Sequence, residues 1–539
     1  MRARLAIVGA LVAAVVTVVA NPPATAAVGD ITVFAGTGAG GFTGDGGPAT
    51  AAQINGANDT AVDAAGNVYI ADTQNHSIRR VTPEGIITTV VGTGSPGFGG
   101  DGGPAASAQL DGPSSVAIDQ LGNLLISESN NMRVRYVNFT ASPVTVYGVT
   151  VEPGEIATVA GTGLPGFNGD NQPATSAQLN TPGGIDVDSA GNLFIADQAN
   201  FRIRRVDRAT GAITTVAGNG TSGATGDGGP ATAATMTPID LAMDSLGNLL
   251  IAEPDNQVVR YVNLTGSSVT AYGVTVAAGN IATVAGPGTA GVVGDGGPAT
   301  SARLSYPIGV DVDSGDNLYI AALVGHRVRQ VERASGTIST VAGTDTSGEG
   351  PYGGPALSAA FQGPVAVTID NVGNLLIVDA PPNNRILKVE LGVTTPTSVT
   401  PTSVTPTSVT PTSVTPTSVT PTSVTPTTRR PSSTTVPSST STSGPGDPGG
   451  GGEGAGGSRP KPLNVLARTG TSPLGLGMLA TIGLVVGFAG RRAGRQADHA
   501  ATASAGPSGS APRKAPLSGL GLSAGVPRRD SRSRPKNWW

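Results

Sequence analysis

The chain has 539 residues, 80 of them glycine and 42 proline, with 4% aromatic and 13% charged residues. That many helix breakers exclude a helical bundle or coiled coil and point to short strands, many turns and low-complexity segments. There are no cysteines and three histidines, which excludes a disulfide framework and a thiolate metal site; residues 28–392 carry 15 Lys and Arg against 32 Asp and Glu, so this acidic body offers no basic face to a nucleic acid.

Residues 1–27 read as a secretory signal peptide. Arg2 and Arg4 form the basic start, Leu5 to Ala20 the apolar stretch, and Ala24-Thr25-Ala26 the small-residue cleavage site. The mature chain is therefore expected to work outside the cytoplasm.

Residues 28–392 repeat. An Asn-apolar-apolar-Ile core begins at Asn67, Asn123, Asn192, Asn248, Asn317 and Asn374, with spacings of 56, 69, 56, 69 and 57 residues. Asn67 to Asn192 and Asn192 to Asn317 are both 125, so the unit that duplicated last is a pair of repeats. Each repeat holds four strand-like pieces, which in the third are Gly184–Asp188, Leu193–Asp197, Ile203–Val206 and Ile213–Ala217. The even repeats carry an extra Tyr-Gly-Val-Thr-Val segment that alternates like one more strand. Six four-stranded units of this length predict an all-β six-bladed propeller. The sixth repeat lacks a fourth strand, and a spare copy, Ile31-Thr32-Val33-Phe34, stands at the start of the mature chain. That strand is expected to complete the last blade and close the ring.

These motifs resemble those of NHL-repeat propellers. The resemblance rests on Thr88-Thr89-Val90, on Gly-Asp-Gly-Gly-Pro-Ala at Gly44, Gly100, Gly226 and Gly294, on Gly-Asn-Leu-Phe-Ile-Ala-Asp, and on Arg-Ile-Arg-Arg-Val. It covers 28–392 and implies a six-bladed β-propeller. It does not imply one activity, since such propellers serve as adhesion modules, sensor domains, RNA binders and lyases.

Residues 393–465 form a Pro/Thr/Ser- and Gly-rich stalk, with Pro-Thr-Ser-Val-Thr six times in tandem from Pro396 to Thr425. A segment of this composition buries no core and is expected to be extended. Residues 466–490 follow, with Leu466-Ala467-Arg468-Thr469-Gly470, an apolar stretch over 474–490, and then Arg491-Arg492. This resembles the sorting signal of sortase substrates, which implies cleavage between Thr469 and Gly470 and attachment to the cell wall. Forty-seven residues follow Arg492, and this basic tail, 491–539, leaves open a retained membrane span with a cytoplasmic tail.

Candidate chemistry in the propeller is sparse. Asp63, Asp119, Asp188, Asp244, Asp313 and Asp370 each stand four residues before the repeat Asn, which suits a carboxylate capping a hairpin turn. Arg79, Arg135, Arg204, Arg260 and Arg329 share one position on the third strand; the acids Asp72, Glu128, Asp197, Glu253 and Asp379 recur nearby and suit pairing. Repeat five has Ala322 in place of the acid, which marks Arg329 as the unpaired member. His76 and His326 share a turn position occupied elsewhere by Met132, Phe201 and Gln257, a poor basis for a ligand shell.

Asp59, Asp186, Asp240 and Asp311 fall on the innermost strands and are expected at the central channel, where clustered carboxylates suit a hard cation such as Ca²⁺. The loop tips at Gly97-Phe98 and Gly166-Phe167 are available for contacts. The favoured reading is an exported, wall- or membrane-anchored, non-catalytic propeller without a cofactor, binding a wall glycopolymer or an extracellular protein. The alternative is an extracytoplasmic lyase or hydrolase with a metal on the channel carboxylates.

Overall fold

The Asn-Leu-Leu-Ile runs show no alternation of apolar and polar residues, and the fold explains why. In blade two, Leu124 and Ile126 enter the core shared with blade one, while Leu125 enters the core shared with blade three. A strand buried on both faces needs apolar residues at every position. A computed structural model of the protein describes residue 27 and residues 29–392. The signal peptide, stalk, sorting motif, apolar stretch and basic tail read from the sequence lie outside the described residues. Among the described residues no helix is long and apolar enough to cross a membrane.

Six antiparallel sheets stand around a channel. From the channel outward, blade one runs Asp59–Val62, Val68–Asp72, Ser77–Val81 and Ile87–Val91. Blade two runs Pro113–Ile118, Leu124–Glu128, Arg133–Val137 and Glu155–Ala160; blade three Pro182–Val187, Leu193–Asp197, Arg202–Val206 and Ala212–Ala217. Blade four runs Asp240–Met243, Leu249–Glu253, Val258–Val262 and Ile281–Ala285; blade five Pro307–Val312, Leu318–Ala322, Arg327–Val331 and Ile338–Gly343. Blade six takes Pro364–Ile369, Leu375–Asp379 and Arg385–Val389, and its outer strand is the N-terminal Asp30–Ala35. Ile31 pairs with Val389 and Val33 with Leu387, so the expected closure by the spare strand is observed.

A separate hydrophobic core fills each of the six gaps between neighbouring blades. Stability therefore comes from blade pairs, and no blade has a core of its own. The Gly-Asp-Gly-Gly-Pro loops run along the outer edges. Gly103–Pro104, Gln172–Pro173 and Gly354–Pro355 each add a two-residue fifth strand. Proline suits such an edge because it has no N–H to leave unpaired, and the covered edge offers no template to another chain.

One expectation changes. The extra segment of blades two and four is a whole hairpin, Val144–Val146 with Val149–Val151 and Val269–Ala271 with Val274–Val276, and not a single strand. Tyr147-Gly148 and Tyr272-Gly273 form its turns, all four residues with positive φ, as a tight two-residue hairpin turn requires. Each hairpin docks on the next blade. Tyr147 donates its hydroxyl to the Gly191 carbonyl and Tyr272 to the Asp316 carbonyl, both at 2.8 Å.

Candidate functional site

The connections from each outer strand to the next innermost strand all emerge at one end of the ring, together with the turns between second and third strands. The hairpin turns headed by Asp63 and its equivalents lie at the other end. Between the ends runs the channel.

The turn aspartates are caps, as their spacing predicts. Asp63 Oδ1 accepts the N–H groups of Ala65 and Asn67 at 3.0 and 2.9 Å, and its Oδ2 accepts the Asn67 amide at 2.8 Å. The same pattern recurs at Asp119, Asp188, Asp244, Asp313 and Asp370.

The five arginines of the third strands are buried and paired. Arg79, Arg135, Arg204 and Arg260 reach Asp72, Glu128, Asp197 and Glu253 at 3.2–3.5 Å. Each also holds a second acid that the sequence reading missed, the Asp of the Gly-Asp loop. Asp45, Asp101, Asp170 and Asp227 pair with those arginines at 2.6–2.9 Å. Arg329 is therefore not unpaired. Although Ala322 removes its inner partner, Asp295 binds it from the loop. The guanidinium fork also collects loop carbonyls, such as Gln109 and Gly99 for Arg135, so each arginine fastens an inter-blade loop.

The structure brings Asp59, Asp186, Asp240 and Asp311 together along one channel cavity of about 200 Å³. Their oxygens are engaged in a regular way. Asp59 accepts Val116 N–H at 3.0 Å, Asp186 accepts Met243 N–H at 2.9 Å, Asp240 accepts Val310 N–H at 3.0 Å and Asp311 accepts Ile369 N–H at 2.7 Å. Each of these donors belongs to the innermost strand of the next blade. Blade two uses the Ser115 hydroxyl, which accepts Ile185 N–H at 3.2 Å and donates to Asp59. Blade six uses the Thr368 hydroxyl, which donates to the Thr60 carbonyl at 2.8 Å. Every blade thus carries a polar side chain on its innermost strand that joins it to the following blade.

The polar residue stands four positions before the turn Asp in blades one, two and four, and two positions before it in the others. The unused position holds Ala61, Ala117, Ala242, Gly184, Gly309 or Ala366. At Gly184 the reason is space, because a Cβ there would stand 2.7 Å from the Asp240 Cα.

Burial raises the pKa of these carboxyls. Asp59 and Asp186 are pushed up to about 6 and Asp311 to about 7, mainly by loss of water, with mutual repulsion adding to the shift for Asp186 and Asp311. Asp240 is raised well above the ordinary carboxyl value, first by burial and then by the charge of Asp59. Among the described residues no three His, Cys, Asp or Glu side chains come together in a group fit to hold a metal ion.

A second set of inter-blade contacts was not legible. His76, Met132, Phe201, Gln257, His326 and Asn384 all have positive φ, at one turn position per blade. His76 Nδ1 accepts Gly112 N–H at 3.4 Å, Gln257 Oε1 accepts Tyr306 N–H at 2.7 Å and Asn384 Oδ1 accepts Gly56 N–H at 3.0 Å. At His76, Gln257 and Asn384 this turn position fastens one blade to the next.

At the loop end, Phe42, Phe98 and Phe167 occupy one position on the loops entering blades one, two and three, with 41%, 43% and 37% of their surface exposed. Each rests on arginine. Arg79 lies 5.2 Å from the Phe42 ring centre, Arg133 3.8 Å from that of Phe98 and Arg202 3.9 Å from that of Phe167. Blades four, five and six carry Ala224, Val292 and Glu349 there, so the aromatic arc spans half the ring. Asn75, Asn138 and Asn263, each the first residue of an Asn-x-Ser/Thr sequence, are buried, and Asn138 and Asn263 each donate to two backbone carbonyls.

The family described as "Teneurin NHL domain" matches residues 28–98. With six repeats of one pattern closing a ring, this settles the fold type. The chain carries an NHL-repeat six-bladed β-propeller. The chain is similar to "NHL repeat-containing protein 2" of Bos taurus, 27% identical over 354 residues, which cover 61% of this chain and 45% of that protein. It is 32% identical over 147 residues to "Teneurin-m" of Drosophila melanogaster, covering 24% of this chain and 5% of that protein. This NHL propeller thus matches less than half the length of either relative. Among solved structures, an auxiliary nutrient binding protein from Bacteroides thetaiotaomicron aligns with 66% of this chain and 75% of its own, at 15% identity and a TM-score of 0.44.

Proposed function

We propose that the chain is a surface-displayed propeller that binds a wall glycopolymer or an extracellular protein through the loop end of its ring, without catalysis of its own. The observation that carries this reading is the arc of Phe42, Phe98 and Phe167. These are large apolar side chains, each with a guanidinium group against its ring and about two-fifths of its surface facing water. Rigid aromatics lose little side-chain entropy on contact and contribute large areas, which suits recognition. The channel aspartates, by contrast, have oxygens committed to backbone N–H groups of the ring. The export signal, stalk and anchor read from the sequence would carry the propeller away from the cell surface.

The test is co-sedimentation of the purified chain with isolated cell walls, and with walls stripped of protein. The triple variant Phe42→Ser, Phe98→Ser, Phe167→Ser is expected to keep its melting temperature within a few degrees and lose most of the bound fraction. Undiminished binding by the triple variant would move the contact surface elsewhere. Mass spectrometry of the wall-released C-terminus tests the anchor, with Thr469 as the expected last residue.

A further inference from the structure

We propose that the channel ring is a proton-linked fastener, in which the four channel aspartates join their neighbouring blades most tightly when part of the set carries protons, so that the propeller is held more firmly in mild acid than at neutral pH. The argument starts from geometry. Four of the side chains that bridge innermost strands are carboxyls, and they share one cavity. Each has one oxygen on an N–H of its neighbour blade; Asp59, Asp186 and Asp311 bond the N–H of their own following residue with the other. These bonds fix the carboxyls in place, so they do not swing apart to relieve repulsion.

Among the described residues no cation faces them. The residues lining the cavity include no Lys, Arg or His. From the second strands, Tyr319 is paired opposite Asp311, while Phe194 stands opposite Asp186, Ala71 opposite Asp59 and Ala252 opposite Asp240. Asp188 adds a further negative charge beside Asp186. The cations nearest the turn end are already engaged, Arg208 with Asp119, Arg333 with Asp244 and Asp316, and Lys388 with Asp370.

Four fixed carboxyls with no counter-charge have one means of relief, which is to bind protons, and the raised values of Asp186 and Asp311, about 6 and 7, agree with that. The sign follows from linkage. In the unfolded chain these groups titrate near the ordinary aspartate value of about 3.9, so between there and about 7 the native state holds protons that the unfolded state lacks. Stability is then greatest at the low end of that window and declines as pH rises through it. The decline weakens the contacts between blades at the channel, the inner wall on which every inter-blade loop is built.

The experiment compares proton release on urea unfolding of the full chain at pH 5 with that of Asp186→Asn/Asp311→Asn. An amide is neutral but turns an N–H₂ towards a backbone N–H, so the variant loses absolute stability, and the proton count is therefore the readout. The double variant is expected to release about two protons fewer than the parent, and each single variant about one fewer. An unchanged count overturns the proposal. Should the variants not fold, the side-chain carboxyl ¹³C shifts of Asp186 and Asp311 in the native parent, followed from pH 4 to pH 8, decide it. Titration of both well above the ordinary aspartate value of about 3.9 supports the fastener, and titration at that value overturns it.

Discussion

Arg260 on the third strand of blade four and Asp227 on the loop entering that blade meet through two hydrogen bonds to one carboxylate oxygen, Nη2 at 2.6 Å and Nε at 2.9 Å. The same pair recurs in blades one, two, three and five, and in blade six both partners are gone together, replaced by Tyr352 and Leu387. The pair is a loop fastener whose two halves are kept or lost as a unit. Replacing Arg135 by Met strands buried Glu128 and the Gln109 and Gly99 carbonyls, and is expected to cost about 3–5 kcal/mol. Arg329→Met strands only the half-exposed Asp295 and one carbonyl, and is expected to cost about 1–3 kcal/mol. Urea unfolding of both variants checks the order; equal costs would mean that the inner acid adds nothing.

Closure by the N-terminal strand gives a second prediction. Deleting residues 29–35 removes the outer strand of blade six and with it Ile31 and Ala35, both fully buried in the adjoining cores. It also uncovers the edge of Arg385–Val389. The truncated protein is expected to be insoluble or to unfold at least ten degrees lower, as judged by soluble yield and calorimetry. A separately added peptide of residues 29–36 is expected to restore part of the loss.

The docked hairpins supply a third. Tyr147→Phe and Tyr272→Phe each remove one buried hydroxyl bond, at an expected cost of about 1 kcal/mol each. The sites lie two blades apart with no shared partner, so the double variant is expected to show the sum. Gly211→Ala is expected to cost more than either. Gly211 has φ of +71°, and a Cβ there would collide with the Tyr147 carbonyl.

The ring, its closing strand and the turn caps were legible because each rests on short-range rules repeated six times. Asn67 and Asp63 are four residues apart, and one turn geometry explains both. The loop acids were not recognised, yet the signal was present. Asp45 and Arg79, Asp101 and Arg135, Asp170 and Arg204, and Asp295 and Arg329 are all 34 residues apart, and the blade lacking one lacks both. The channel aspartates were placed correctly, but their partners are backbone N–H groups some 57 to 70 residues later, to which no side-chain pattern points. The complementary Gly or Ala at the unused position was the readable trace of that ring.

Metal removal gives a fourth prediction. At Asp186 and Asp311 both oxygens already accept N–H groups, so a cation would have to share them. The melting temperature of the full chain at pH 7 is expected to stay within about one degree on adding EDTA or millimolar Ca²⁺, since only a ligand that prefers the native state shifts it. A shift of several degrees would instead assign a cation to the channel.

The acid side of the stability profile belongs to different residues. Asp45 and Asp295 are held below the ordinary carboxyl value: burial works against the shift, but hydrogen bonds from Thr89 and Thr340 and the charges of Arg79 and Arg329 outweigh it. A carboxylate lowered in this way stabilises the fold above its unfolded value and loses that contribution as pH falls through its folded value. Asp72, Asp197 and Asp379, pushed up to about 6 chiefly by burial, act in the opposite sense and lose stability as pH rises towards neutrality. Between the two groups the profile has a maximum, expected near pH 4, about the unfolded aspartate value, by this linkage. Asp295→Asn is expected to flatten the fall below pH 4 while leaving the fall above pH 5 in place, because the Asp295 carboxylate titrates only on the acid side. Urea midpoints of parent and variant at pH 3, 5 and 7.5 check this. A variant that loses the neutral-side slope as well would show that loop acids and buried acids titrate as one network through the arginines.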